Sequence, residues 1–127
     1  MSLSTEFDPV YLRFEQRGPV TVVRIMVPRL TDEVNLEQLG HELFTLVDQW
    51  NCYRLVVSLD VVEYMTSSGV GKLITLHRRV GRVHGQVVFC SLHPVVTEIL
   101  ETSRLNTYFQ IAPDLESALA MIHKPEE

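Results

Sequence analysis

The sequence has little of what marks a metal, redox or nucleic-acid protein. Cysteine occurs only at Cys52 and Cys90, far apart and without CxxC spacing. That excludes a zinc ribbon or thioredoxin-like pair and predicts reduced, buried thiols. The histidines His41, His77, His84, His93 and His123 form no HExxH or related pattern, so no metal site is expected. Basic residues are outnumbered, 11 against 16 acidic, for a net charge of −5. A nucleic-acid partner, which would favour a clustered basic face, is therefore not expected. The local exception, HRRVGRVH at 77–84, reads as cations at the end of a helix, where the dipole favours them. No apolar run approaches the ~20 residues that cross a bilayer. The opening MSLSTEFDP carries neither a basic n-region nor an apolar h-region. A cytoplasmic protein with no membrane partner is expected.

What is present is the mixture of a globular chain, 46% hydrophobic and 21% charged. The length fits one domain over 1–127, with a core at about 8–122 and a frayed tail at 123–127. VYLRFEQRG and PVTVVRIMVP read as two strands meeting at Gly18–Pro19 in a hairpin, the second rich in β-branched residues and ended by Pro28. RLTDEVN reads as a polar loop, with Asn35 as the cap of a first helix. Leu36, Leu39, Leu43, Leu46, Val47 and Trp50 then recur at helical spacing and form a core stripe. YRLVVSL and QVVFC are short apolar runs of the kind found in strands covered on both faces. GKLITLHRRV is helical to about Val83, where Gly81 and Gly85 weaken and end it. SLHPVVTEILETS is a helix with Pro94 in its first turn and Val95, Val96, Ile99 and Leu100 inward. TYFQI is a short strand, and Asp114 caps a last helix. The order β-β-α-β-α-β-α-β-α implies an α/β fold, a mixed sheet packed with helices.

The chemistry-bearing stretch is YMTSSGVGKLITL at 64–76. A P-loop would need glycine five residues before Gly71–Lys72 and a hydroxyl directly after, and Thr66 and Leu73 occupy those positions. GxGxxG fails at Ile74. The GxSxG elbow of esterases is absent around Ser67 and Ser68. No residue set argues for enzymatic chemistry or a bound cofactor. Taken alone, the stretch reads as a strand-to-helix turn, with Thr66 or Ser67 as N-cap and Gly69 allowing close packing.

The whole segment changes that balance. Tyr64-Met65-Thr66-Ser67-Ser68-Gly69-Val70-Gly71, Pro94 at a helix start, SRLNTYF before a strand and the closing DLESALA helix together resemble the STAS domain of anti-sigma-factor antagonists, over about residues 20–122. The resemblance implies a partner-switching protein that is not itself an enzyme. Unphosphorylated, it binds an anti-sigma-factor serine kinase and frees a sigma factor; phosphorylated, it lets go. ATP is then used by the kinase, not by this chain. The implied acceptor is Ser67, with Thr66, which stands where the family has aspartate, as alternative. The implied contact surface comprises Asp32, Met65, Thr66, Ser67, Ser68, Gly69 and Lys72. The loop at Pro28–Asp32 keeps the family's aspartate but not its glycine. Whether a phosphatase resets the switch and whether a homodimer forms stay open. The alternative is a non-switching STAS scaffold in a signalling assembly or beside a transporter.

Overall fold

The computed structural model describes residues 8–122; the expected frayed tail at 123–127 lies outside them. Strand β1 (Leu12–Arg17) and strand β2 (Val20–Ile25) pair antiparallel, with Arg17 opposite Val20. The two-residue turn between them needs a left-handed first position, which Gly18 supplies at φ +60. A short strand β3 (Arg29–Leu30) leads into helix α1 (Glu33–Asp48). There follow β4 (Arg54–Ser58), the short β5 (Tyr64–Met65), α2 (Ser67–Arg82), β6 (Gln86–Cys90), α3 (Pro94–Thr102), β7 (Gln110–Ala112) and α4 (Leu115–Met121).

The main sheet runs β1-β2-β4-β6-β7, parallel from β2 onward. Each crossover steps in the same direction, so right-handed connections place α1, α2 and α3 on one face. That face holds the larger core. Val23, Ile25, Leu55, Val57, Val87 and Phe89 of the sheet meet Leu39 and Leu43 of α1, Leu73 and Leu76 of α2 and Leu100 of α3. On the other face α4 stands alone, burying Ala118 against Val56, Val88 and Ala112. β4 and β6 are covered on both sides, which accounts for their unbroken valine runs.

Four expectations need correction. Two short strands, β3 and β5, are added to the expected order; they pair parallel as a separate ribbon, Arg29 with Tyr64 and Leu30 with Met65. The cap of α1 is Asp32, whose carboxylate accepts from Val34 N at 2.8 Å. Asn35 lies inside the helix and accepts the Tyr11 hydroxyl at 2.7 Å. Both residues are good caps; Asp32 prevails because β3 already ends at Leu30, leaving room for another helical turn. Val95 is 46% exposed rather than inward, while Val96 and Leu100 carry the buried face of α3. The last sheet strand begins only at Gln110, because Phe109 turns into the core against Phe89, with ring centroids 4.9 Å apart.

One buried charge went unanticipated. Glu42 of α1 is 1% exposed. Its carboxylate accepts from Val10 N at 2.8 Å, Tyr11 N at 2.9 Å and Gln38 Nε2 at 2.9 Å. It therefore clamps the chain entering β1 onto α1, satisfying two backbone donors that would otherwise lie unpaired.

Candidate functional site

The β3–β5 ribbon places the starts of α1 and α2 side by side. The Leu30 carbonyl accepts twice from one residue, from Thr66 N at 3.0 Å and from the Thr66 hydroxyl at 3.3 Å. The same hydroxyl accepts from Gly69 N at 3.4 Å, making Thr66 the N-cap of α2. Both hydrogen-bonding roles of Thr66 Oγ1 are thus filled within the turn.

Ser67 and Ser68 are the first two helical residues, and both are exposed. Among the described residues neither hydroxyl has a hydrogen-bond partner. The first turn of α2 contains no acidic side chain, while Arg79 and Arg82 occupy its last turn. The amino end of α2 therefore has no acid of its own to offset its positive potential, whereas α1 has Glu33 in the same place.

The structure divides the expected contact residues. Asp32, Ser67 and Ser68 lie on the surface, with Thr66 half-buried beneath them. Met65 and Gly69 do not share that surface. Met65 is 1% exposed, and a Cβ on Gly69 would come 3.1 Å from Met65 Cβ and 3.2 Å from the Leu30 carbonyl. These two residues shape the turn from below, because the ribbon closes over them. Tyr64 lies under the Arg29 guanidinium, 5.0 Å from the ring centroid.

Lys72 lays its stem over Gly40, where a Cβ would meet Lys72 Cδ at 3.1 Å, and reaches Glu37 at 3.9 Å. It helps line a groove of about 370 Å³ between α1 and α2, with Glu33, Leu36, Glu37, Ser68 and Thr75. Ser68 faces this groove and Ser67 does not border it. The acidic α1 wall, Glu33 and Glu37, was not foreseen as part of the site; its trace in the sequence is two glutamates four residues apart at the start of a helix, Glu33 in its first turn. The cationic stretch at 77–84 does mark a helix end, where Arg79 pairs with Asp48 and stacks over Phe44. Among the described residues no group of three His, Cys, Asp or Glu side chains could hold a metal ion.

A family model described as the STAS domain matches residues 11–118. The chain belongs to the STAS domain family. It is of the anti-sigma-factor-antagonist type, as its relatives indicate. BtrV of Bordetella bronchiseptica, named as a candidate anti-sigma factor antagonist, is 32% identical over 91 residues, 72% of this chain and 78% of BtrV. The fold of this STAS domain is that of an anti-sigma factor antagonist from Mycobacterium paratuberculosis, with a TM-score of 0.77 at 22% identity over 89% of this chain and 93% of that one. It is also that of Bacillus SpoIIAA in its phosphorylated form, with a TM-score of 0.65 at 21% identity over 86% and 96%. Among the described residues of this STAS domain no helix is long and apolar enough to cross a membrane.

Proposed function

We propose that this STAS domain is an anti-sigma-factor antagonist whose binding to an anti-sigma-factor serine kinase is switched by phosphorylation of Ser67. The kinase consumes the ATP; the domain is a cytoplasmic binding module with no catalysis or cofactor of its own. The observation that carries this reading is the contrast between adjacent hydroxyls. Thr66 Oγ1 is engaged twice inside the turn, while Ser67 is exposed and without a partner among the described residues.

A phosphate on Ser67 sits at the positive end of α2, an effect of roughly 0.3–1 kcal/mol in favour of the modified fold. The domain therefore survives the modification. A partner pressed onto the turn does not tolerate it. The phosphate adds about −1.5 to −2 charges, and one like-charge contact at ~4 Å costs ~4 kcal/mol at an effective dielectric of ~20. That is on the order of 10³ in affinity. Asp32, Glu33 and Glu37 already make the α1 side of this face acidic, so the added charge deepens an existing sign.

The test is a phosphosite map of wild type, Ser67→Ala and Thr66→Val isolated from the protein's own cells. A single phosphate on Ser67, lost in Ser67→Ala and kept in Thr66→Val, supports the reading. Modification of Thr66, or an unmodified wild-type chain across growth and stress conditions, refutes it.

A further inference from the structure

A second open groove lies on the other side of the molecule. On the face where α4 packs, Val20 and Val22 of β2 are buried while β1 and the Arg24 end of β2 stay exposed, and a groove of about 500 Å³ opens there, a volume within the range of small-molecule sites. The alternation of β1 sends Leu12 into the main core and Arg13 to this outer face; the alternation of β2 does the same with Val23 and Arg24. Arg13 and Arg24 are direct cross-strand partners. Two like charges facing each other across an antiparallel pair oppose the pairing.

Only one of the two is neutralised. Asp60 accepts from Arg24 Nε at 2.9 Å and Nη2 at 2.6 Å, and from the Ser58 hydroxyl at 2.9 Å. The Arg24 guanidinium in turn holds the Asp60 carboxyl below its usual range. Glu15, the other acid of the groove, is taken by Arg17 at 2.6 Å. Among the described residues Arg13 meets no carboxylate; its Nη1 donates to the Leu12 carbonyl at 3.0 Å. Among the described residues the groove thus carries one guanidinium without a counter-charge, opposite a second that is oriented by Asp60, over an apolar floor formed by Val22 with Leu115 beside it.

We propose that this groove binds a small phosphorylated metabolite, its phosphate between Arg13 and Arg24 and its body over Val22 and Leu115. A tetrahedral dianion offers several oxygens at once, so it can meet the Arg13 fork and the Arg24 Nη1 that Asp60 leaves unused. The site is on the face opposite the α1–α2 groove and does not depend on the switch at Ser67.

The test is calorimetric titration of the full chain at low chloride with sodium phosphate, AMP and succinate, on wild type and Arg13→Gln. Matched thermal unfolding of the two proteins establishes that the variant is folded, and Arg13→Lys serves as a second variant. The expected result is saturable binding of phosphate, tighter binding of AMP, and roughly tenfold or greater loss in Arg13→Gln, the size expected for removing charge-assisted hydrogen bonds. Partial retention in Arg13→Lys supports the same assignment. Succinate bound as tightly as AMP would overturn the phosphate class. No saturable binding, or equal binding by wild type and Arg13→Gln, would overturn the site and leave Arg13 as a charge that keeps an edge strand from pairing with another chain.

Discussion

Two glycines on the same helix should respond to alanine with opposite signs. An interior helical alanine is preferred over glycine by up to ~1 kcal/mol. At Gly71 no heavy atom lies within 4 Å of the position a Cβ would take. Gly71→Ala should therefore gain most of that preference, about 0.5–1 kcal/mol. At Gly69 the new Cβ would stand 3.1 Å from Met65 Cβ, 3.2 Å from the Leu30 carbonyl oxygen and 3.3 Å from Leu30 Cβ. None of these is the free end of a flexible side chain. The carbonyl is pinned by the Thr66 amide at 3.0 Å, and Leu30 and Met65 are paired in the ribbon. Relief requires moving β3 against β5, an overpacking cost of about 1–3 kcal/mol. The clash outweighs the propensity, so Gly69→Ala should lose roughly 1–2 kcal/mol. Urea unfolding with shared m-values reads both changes. The reasoning fails if Gly69→Ala is as stable as wild type at an unchanged m.

Further outcomes follow from buried polar groups. Glu42→Ala removes the acceptor of two backbone amides and should cost about 3 kcal/mol, with faster hydrogen exchange at Val10 and Tyr11; a loss below ~1 kcal/mol would show that water takes over the clamp. His77 packs against Tyr108 and Phe109, with centroids 4.6 and 5.5 Å away, and burial pushes its pKa down. The fold therefore favours the neutral ring. This contribution is complete above the unfolded value of ~6.5 and is lost as pH falls through the lower folded value. The melting temperature of wild type should decline from pH 7 to pH 5 more steeply than that of His77→Phe. Parallel profiles would remove His77 as the cause.

Periodicity made the long elements legible. The β-branched run VTVVRI, the leucine stripe through α1 and the valine runs of β4 and β6 each report burial that the local sequence itself defines. The turn at 64–71 was also legible, because serine, threonine and glycine at a helix start have specific backbone roles. The ribbon was not, since strands of two residues are too short to show a period. Its formation then decided which members of the turn reach the surface: Met65 and Gly69 go inward, and Ser67 stays out.

By itself, the sequence determined an α/β order and the hydroxyl-rich start of α2, because these rest on spacing along the chain, and its motifs carried the resemblance to the STAS family. Tertiary structure alone decided that Glu42 would hold the entry to β1, that Glu33 and Glu37 would wall the groove beside Ser68, and that Arg13 would face Arg24. Those juxtapositions join residues about ten to more than thirty positions apart, and only the pairing of strands and the packing of helices sets the distance between them.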